Sequence, residues 1–283
     1  MEESTGLRGQ LVNSVASANI VKPHSDKASY YKFRAPYSQL FFKEPKKKLS
    51  LSPESRLLDL CCGSGQLAQG LAGAVDHVVA VDGADGMIAI AKPHPNITYV
   101  CHDINSTAKP LELYGDSYSH MLLGRAIPYV SPQALKTLAD NNLSGDGAIV
   151  VCGAGLNPQI PWIANFKRLR ESYASIRGDF IGATKLAELG FHLADTVLIK
   201  TPVVCNPRFL VAHALSYALT HEKIVADINN FKTRVLQAVT PYIKGGELQG
   251  EVLSWALIYK HMPDTHGYKM QKPIQTSNFP FPL

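Results

Sequence analysis

The sequence predicts an α/β fold in which a mostly parallel sheet is covered by helices on both faces. From residue 56 onwards, short apolar runs alternate with segments of helical spacing. These runs are mostly apolar along their length rather than alternating, as strands are when both faces of a sheet are buried. The composition agrees, because 46% hydrophobic and 18% charged residues in a chain of 283 exclude a disordered protein. We therefore expect one large α/β domain with insertions, or two smaller domains.

Five strands are predicted in the first half of the chain. They are expected at 56–60, 78–81, 97–101, 119–123 and 148–152. Helices are expected between them, beginning at Gln66 and covering 84–91 and 132–141. The part before residue 56 is polar with several aromatic residues, and its Lys46–Lys48 run is interpreted as a solvated loop before the first strand.

The second half of the chain is less regular. Apolar residues at helical spacing predict a helix over 158–175, and Gly190 is expected to end another helix. The further predicted elements are a strand near 193–199, two helices within 207–239 that break near Thr220, and a last strand over 251–259. The proline-rich tail 262–283 is expected to be irregular.

Charge and cysteine content exclude several functional classes. Lys and Arg number 28 against 23 Asp and Glu, a net charge of +5 that is too mild to predict nucleic-acid binding. The five cysteines form no C-x-x-C pair, so neither a zinc site, nor any other metal site, nor a disulfide framework is expected. The N-terminus lacks a signal pattern, and prolines and glycines interrupt the longest uncharged stretch, Gly147–Phe166. These features predict a cytoplasmic protein without a membrane partner.

The clearest functional pattern is the segment Leu57–Gly65, where an apolar strand runs into a turn of small residues and then into a helix. Glycines in such a turn let a ligand approach the backbone closely. The first N–H groups of the helix can bind a polar or anionic ligand group. Asp82 follows Gly63 by 19 residues and ends the next strand, where a carboxylate can accept both hydroxyls of a ribose.

Two classes of cofactor use a loop of this kind. Gly63, Gly65 and Ala68 satisfy the G-x-G-x-x-G/A pattern of dinucleotide-binding proteins. Asp59, at the end of the first strand, favours S-adenosylmethionine instead, because its carboxylate suits the methionine ammonium and would repel a pyrophosphate. A third interpretation is structural, since any α/β crossover tolerates glycine at this turn.

Asp59–Gly65 together with Val78–Asp82 resembles the first two motifs of the class I S-adenosylmethionine-dependent methyltransferases. Cys61 is a departure, because that family usually has glycine there. The resemblance implies a Rossmann-like, doubly wound, mostly parallel seven-stranded sheet with an antiparallel last strand and a helical cap. It also implies S-adenosyl-L-methionine as the cofactor.

The same resemblance implies which residues bind that cofactor. Met87 is expected against the adenine, and the segment of Asp103 and Ile104 at the adenine edge. For Asp103, the alternative to cofactor binding is that its carboxylate caps the segment after the strand. For Arg125, the alternative is a salt bridge on the rim of the sheet. The complete set of expected cofactor-binding residues is Arg34, Asp59, Cys61, Gly63, Gly65, Asp82, Gly83, Met87, Asp103, Ile104, Leu123 and Arg125.

Residues 27–37 are similar to the N-terminal segment of the trans-aconitate methyltransferase-like branch. Tyr30, Arg34 and Tyr37 match that branch, whereas Ala35 and Ser38 stand where proline is usual. In such enzymes this segment closes over the cofactor. The resemblance therefore implies a lid over 24–37, with Arg34 paired to the methionine carboxylate.

Candidate substrate residues follow the fourth strand and lie in the second half of the chain. His213 and Tyr217 are four residues apart and share one face of a predicted helix, which resembles the branch's cap over the substrate. Tyr129 is expected as an aromatic wall against the sulfonium. Methyl transfer does not always need a general base. If one is used, His213 is the first candidate and Tyr30 the second. Ordinary core packing is the alternative for His213 and for Tyr129.

These observations predict a methyltransferase with a small-molecule acceptor. The alternatives are a cofactor-binding protein recruited for a non-methylating reaction, such as a cyclisation, and a nucleotide-dependent oxidoreductase. A nucleic-acid methyltransferase lacks support, because no Asn/Asp-Pro-Pro-Tyr motif follows the fourth strand and no basic-aromatic stripe is evident. The predicted divisions are a lid and lead-in, the cofactor-binding core, a substrate cap, a final strand and a tail, at 1–55, 56–155, 156–245, 246–262 and 263–283.

Overall fold

The computed structural model describes residues 28–106, 111, 117–174 and 186–261. The predicted tail and residues 24–27 of the predicted lid lie outside these ranges. Seven strands form one sheet in the order β3-β2-β1-β4-β5-β7-β6. Their bounds are β1 Arg56–Leu60, β2 His77–Asp82, β3 Ile97–Cys101, β4 Tyr118–Gly124, β5 Leu143–Leu156, β6 Phe191–Cys205 and β7 Leu248–His261. The predicted Rossmann-like sheet, mostly parallel with an antiparallel last strand, is confirmed.

The central strand β1 pairs in parallel with β2 on one side and with β4 on the other. Leu57 lies opposite Val78 of β2 and His120 of β4, and its side chain is fully buried. Strand β3 continues the parallel set beyond β2, and β5 continues it beyond β4. The carboxyl ends of these strands therefore meet at one edge of the sheet, which is where parallel sheets bind ligands.

The helices fall at the predicted segments, although the helix predicted over 158–175 is observed only over Pro161–Glu171, and two further regions differ from the prediction. Their bounds are α1 Ala28–Tyr31, α2 Gln39–Lys48, α3 Gln66–Leu71, α4 Asp85–Ala89, α5 Pro132–Asn142, α6 Pro161–Glu171, α7 Pro207–Leu215, α8 Ala218–Ala226 and α9 Ile228–Val239. Among the described residues, short 3₁₀ turns lie at 72–74, 127–129 and 240–242. None of the helices in the described ranges has the length and hydrophobicity that crossing a bilayer requires.

The interpretation of Lys46–Lys48 as a loop was wrong, because these lysines form the last turn of α2. The Ser38 hydroxyl begins this helix by accepting a hydrogen bond from the Phe41 N–H at 3.0 Å. Phe41 and Phe42 are buried, and the lysines lie at the negative end of the helix dipole. Capping and burial outweigh the helix-breaking tendency of Pro45 within the helix.

The prediction of two helices within 207–239 was also wrong, because the structure has three. The first break falls after α7, where the Ser216 hydroxyl donates to the His213 carbonyl at 2.6 Å. A second break falls at Asp227, between α8 and α9. Thr220, the predicted breakpoint, lies in the first turn of α8 and donates its hydroxyl to the Ala214 carbonyl at 3.2 Å. Local side-chain bonds to the backbone thus accompany the break after α7.

The chain divides into two compact units, each made of three separate segments. Among the described residues, unit 1 comprises 28–36, 154–174 and 200–253, and unit 2 comprises the remainder. The core of unit 1 includes the fully buried Phe166 and Phe231. The core of unit 2 is built on apolar residues of the parallel strands, among them Leu58, Leu60, Met121, Leu123 and Ile149. The predicted five-part division remains a prediction.

Candidate cofactor site at the carboxyl edge of the sheet

The loop after β1 has three residues in the left-handed region. The φ angles are 52° at Cys61, 59° at Gly63 and 75° at Gly65. Glycine adopts this conformation without cost, whereas a side chain on Cβ makes it unfavourable. The loop is fixed to β2, since the Cys62 N–H donates to the Val81 carbonyl at 2.9 Å. The backbone at Cys61 is therefore strained, at a position where the family that this sequence resembles usually has glycine.

We expect Cys61→Gly to raise the free energy of unfolding by about 1 kcal/mol, because glycine relieves the strain of a positive φ angle. Cys62→Gly is the matched control. Cys62 does not have a positive φ angle and its side chain is buried, so this variant should be less stable than the wild type. Urea denaturation measures both. Destabilisation by Cys61→Gly equal to that of the control would contradict the assignment of strain.

Cys61 is not placed as a nucleophile. Burial, together with the negative charges of Asp82, Asp59 and Asp103, raises the pKa of its thiol to about 12. A thiol with this pKa remains protonated at neutral pH, and the thiolate is the reactive form. Its position therefore suits packing against a bound group.

Asp59 is a carboxylate inside the protein, with only 1% of its surface exposed. Its Oδ2 accepts a hydrogen bond from the Ala68 N–H at 3.2 Å, at the start of α3, where the N-cap residue Gly65 has no side chain to offer. Its Oδ1 has no hydrogen-bond partner within the described ranges. Desolvation, with a smaller contribution from the charge of Asp82, raises the pKa of Asp59 to about 7. A buried oxygen of this kind fits a cationic partner such as an ammonium group.

Asp82 connects the loops that follow β1 and β2. Its Oδ2 accepts from the Gly63 N–H at 2.8 Å, and its Oδ1 accepts from the Ala84 N–H at 2.9 Å. Each carboxylate oxygen has a further lone pair and can accept a second hydrogen bond. Asp82 is half-buried. Its position and remaining acceptor capacity fit the predicted ribose contact.

Gly65 is required by a contact within the chain itself. A Cβ at this position would lie 2.7 Å from Cε1 of Tyr99, a residue of β3. The Tyr99 hydroxyl accepts from the Gln69 side chain at 3.0 Å, which holds the ring over the loop. Sequence reasoning missed Tyr99, because its place next to Gly65 depends on the pairing of β3 with the sheet. Gly83 is different, since a Cβ there would make ordinary contacts with Asp103.

Asp103 and the loop after β4 are joined through Asn105, another residue that sequence reasoning missed. The Asp103 Oδ1 accepts from the Asn105 N–H at 3.0 Å, which is the capping alternative considered above. The Asn105 side chain donates to the Tyr129 carbonyl and accepts from the Ser131 N–H, both at 2.8 Å. The Tyr129 side chain is 54% exposed, as an aromatic wall for a ligand requires.

Arg125 directly follows β4 and has a φ angle of 58°. Its N–H donates to the Cys152 carbonyl of β5 at 2.8 Å, which fixes the backbone. Its guanidinium donates to the Gln66 side-chain oxygen at 2.8 Å and lies 5.1 Å from the centroid of the Tyr37 ring. Its partners in these contacts are therefore neutral groups of α3 and of the segment before α2.

The remaining predicted cofactor residues differ in exposure. Leu123 and Ile104 are buried in the core of unit 2, so Leu123 in particular offers a ligand its backbone rather than its side chain. Met87 is half-buried in α4. Its side chain is thus available for contact with a ring, as the resemblance implies.

In unit 1, Arg34 holds the end of α7. Its Nε and Nη2 donate to the Ser216 carbonyl at 3.2 and 3.0 Å. Its guanidinium carbon lies 3.8 Å from the centroid of the Tyr217 ring, and that of Arg170 lies 3.9 Å from the same centroid. Two guanidinium groups cannot share one face at these distances, so the ring is enclosed between them. The contacts of Arg34 thus differ from the predicted contact with a carboxylate.

His213 has the environment of a core histidine, which is the alternative considered above. It is 1% exposed, and its Nδ1 lies 2.8 Å from the Phe33 carbonyl, to which it must donate. Its Nε2 then accepts from the Tyr217 hydroxyl at 3.4 Å. Tyr30 is also buried, with its ring against Phe33. The roles of His213 and Tyr30 as bases, and of Tyr217 as a substrate contact, remain predictions.

The chain is similar to known proteins both in the sequence of its first strands and helices and in its fold. Residues 57–142 match the family described as a methyltransferase domain. A structure assigned as a type II methyltransferase, from Anaeromyxobacter dehalogenans, has 16% identity and a TM-score of 0.62, covering 81% of this chain and 97% of its own. No curated protein is detectably similar in sequence.

Two further similar structures have lower TM-scores. A methyltransferase from Geobacter sulfurreducens, in complex with S-adenosyl-L-homocysteine, has 14% identity and a TM-score of 0.47, covering 93% of this chain and 99% of its own. The (4+2)-cyclase SpnF has 16% identity and a TM-score of 0.46, covering 91% of this chain and 94% of its own. A methyltransferase domain implies binding of S-adenosylmethionine, as expected from the sequence. The chain thus has a Rossmann-like fold of the kind found in methyltransferases, and its residues 57–142 match a methyltransferase domain.

Proposed function

We propose that this protein is an S-adenosylmethionine-dependent methyltransferase with a small-molecule acceptor. The observation that carries the proposal is Asp59, whose buried Oδ1 has no partner among the described residues at the start of the matched domain. A cationic amino group bound there would supply the missing hydrogen bond and compensate the buried charge. A pyrophosphate would instead be repelled, which disfavours a dinucleotide.

The residues at the carboxyl edge of the sheet suit the parts of this cofactor. Asp59 would bind the ammonium and Asp82 the ribose hydroxyls, while Met87, Asp103 and Ile104 would contact the adenine. When bound, S-adenosylmethionine supplies a methyl group on a positively charged sulfur. The protein itself would align the acceptor with this methyl group, exclude water from the site and stabilise the positive charge of the sulfur. The exposed Tyr129 ring suits contact with a cation.

Two features of the sequence support the proposal that the acceptor is a small molecule. Residues 27–37 are similar to the trans-aconitate methyltransferase-like branch, and no nucleic-acid-binding pattern is evident. His213 remains the first candidate for a general base, but it is buried, and the mechanism proposed here does not depend on it. Alignment of an acceptor that is already nucleophilic is sufficient.

Two measurements test this proposal. Calorimetric titration with S-adenosylmethionine, S-adenosylhomocysteine and NADH should give binding of the first two and not of the third. Incubation with methyl-labelled S-adenosylmethionine and a protein-free metabolite extract should then transfer label to a small molecule. Binding of NADH alone would favour an oxidoreductase. Cofactor binding with label transfer only to added nucleic acid or protein would contradict the small-molecule acceptor.

Replacing Asp82 by Ala should weaken S-adenosylhomocysteine binding about 10- to 100-fold, the scale of hydrogen bonds to a charged acceptor. The loss has two sources, the predicted ribose contact and the bond that positions the Gly63 N–H. Asp85→Ala is the control, because this exposed carboxylate of the next turn bonds the adjacent Gly86 N–H. Calorimetry compares the three proteins. Equal losses in the two variants would remove Asp82 from the site.

A further inference from the structure

The net positive charge of the chain is concentrated in unit 1. The described residues of this unit include eleven Lys and Arg but five Asp and Glu, an excess of six, whereas the whole chain has 28 and 23, an excess of five. The small net charge of the chain therefore conceals an uneven distribution. An excess of one sign on one compact unit attracts ligands of the opposite sign.

Two of these cations, Arg34 and Arg170, stack on the ring of Tyr217. Their guanidinium carbons lie 3.8 and 3.9 Å from its centroid, on opposite faces of the ring. The two carbons are therefore no more than about 8 Å apart. Like charges repel at this separation, and the repulsion is stronger in a partly buried setting than in water. An anionic group beside the ring would be attracted to both guanidinium groups and would offset their repulsion.

The described residues compensate the charge of Arg170 only weakly. Its side chain is 14% exposed, and its ion pair with Glu171, the next residue of α6, has an N–O distance of 3.5 Å. The same Glu171 oxygen lies 3.8 Å from the Lys167 ammonium, so one exposed carboxylate is shared by two cations. Hydrogen bonds between charged groups are shorter than either distance, and exposed pairs of this kind contribute little.

The dipole of α6 does not account for the placement of Arg170. Arg168 and Arg170 both lie in the last turn of this helix, where the dipole favours cations. Arg168 is exposed and donates to the Asn165 side chain at 2.6 Å. Arg170 instead packs on an aromatic ring whose other face already contacts a guanidinium. The dipole would favour Arg170 equally in a solvated position, so its stacking beside a second cation points to an anionic ligand.

We infer that Arg170 binds an anionic group of the methyl acceptor, a carboxylate or a phosphate. Tyr217 would fix the plane of its guanidinium, and Arg34 would add positive charge. The inference rests on the proposed function, since Tyr217 is a predicted substrate residue and the predicted cofactor residues other than Arg34 belong to unit 2. A guanidinium suits both kinds of anion, because it can donate two parallel hydrogen bonds to one carboxylate or phosphate.

Small anions test this site before the acceptor is known. Thermal unfolding is followed at constant ionic strength with increasing succinate, inorganic phosphate or neutral succinamide, since a ligand of the folded state raises Tm. Succinate or phosphate should raise the Tm of the wild type, and succinamide should not. Arg170→Gln should weaken this binding about 10-fold, the scale of a hydrogen bond between charged groups. Arg168→Gln, the matched control, removes the same charge from the same helical turn and should leave binding unchanged.

A second variant and an internal reference keep this result specific. Arg170→Lys keeps the charge but loses the planar group that stacks on Tyr217, so its loss of binding should be smaller than that of Arg170→Gln. Each protein is compared with itself in the absence of the anion, so a lower starting stability cannot imitate the result. Equal losses in Arg168→Gln and Arg170→Gln, or a wild type whose Tm responds to neither anion, would overturn the inference.

Label transfer links the anion site to the acceptor. A metabolite extract that has passed through an anion-exchange resin should no longer accept label from methyl-labelled S-adenosylmethionine, and the eluted anions should restore the transfer. With the complete extract, Arg170→Gln should transfer label more slowly than Arg168→Gln, while both bind S-adenosylhomocysteine as the wild type does. Undiminished transfer to the depleted extract overturns the anionic acceptor and leaves the proposed function standing. A wild type that does not bind S-adenosylhomocysteine overturns the proposed function instead.

Discussion

The variant Asp59→Asn is expected to be more stable than the wild type at pH 8, by up to about 4 kcal/mol, and to bind S-adenosylhomocysteine poorly. The pKa of Asp59 is raised from 3.8 to about 7 by burial, and each unit of pKa corresponds to about 1.4 kcal/mol. Asn can still accept from the Ala68 N–H but carries no charge to bury. The variant therefore loses the destabilising ionised form and, with it, the partner of the ammonium.

The sign of the pH dependence follows from the direction of the shift. Because the folded state holds the Asp59 proton more tightly than the unfolded chain, the protonated form stabilises the fold below about pH 4. This contribution is lost as the pH rises from about 4 through about 7. The wild-type free energy of unfolding should therefore fall over this range relative to that of Asp59→Asn, and the two should converge near pH 4.

Urea denaturation at intervals between pH 4 and pH 8 measures this difference. Asp103→Asn is the control, since this carboxylate of a neighbouring loop is exposed. A constant difference between the wild type and Asp59→Asn across the range would contradict the buried-charge argument. Calorimetry at the same pH values supplies a second check, because cation binding requires ionised Asp59 and wild-type affinity should therefore decrease below about pH 7.

Gly65→Ala is expected to cost about 3 kcal/mol of stability and to abolish cofactor binding. A left-handed conformation costs a residue with a Cβ about 1–2 kcal/mol, and overpacking against Tyr99 adds about 1–3 kcal/mol. Displacing Tyr99 or the loop would also move the backbone groups that precede α3. The loss of binding thus follows from the same local rearrangement.

A double-mutant cycle with Tyr99→Ala separates the two costs. In that background the added methyl group no longer meets the ring, so Gly65→Ala should retain only the conformational part of its cost. Gly73→Ala is the matched control, because a Cβ at this exposed position has nothing within 4 Å. Denaturation by urea gives the free energies of unfolding of the four proteins in the cycle and of the control. A Gly65→Ala protein as stable as the control variant would rule out the predicted crowding.

The sheet and the loop after β1 could be predicted because their signals are local. Mostly apolar runs indicated the parallel strands, and the spacing of Asp59, Gly63 and Asp82 indicated the edge where a ligand is expected to bind. The bounds of β1 and β3 are the predicted ones, residues 56–60 and 97–101. Strands β5, β6 and β7 extend beyond the predicted runs, since their outer parts include polar or glycine residues.

The contacts that shape the site could not be predicted, because they join residues far apart in the sequence. Tyr99 reaches Gly65 only through the pairing of strands, and Arg125 reaches Gln66 across 59 residues. The bond of Arg34 to the Ser216 carbonyl, 182 positions further along the chain, is a contact of the same kind. Its expected contact with a ligand carboxylate remains a prediction.

The hydrogen bond between Phe33 and His213 has a consequence for the order in which the chain folds. It joins residues 180 positions apart, and unit 1 is assembled from segments at 28–36, 154–174 and 200–253. Because synthesis proceeds from the N-terminus, residues 28–36 cannot contact the other two segments of unit 1 until most of the polypeptide has emerged from the ribosome. Closing so long a loop is slow compared with local helix formation. No contiguous fragment shorter than about residues 28–253 contains all three described segments of unit 1, so this unit cannot be transplanted as a single short gene cassette.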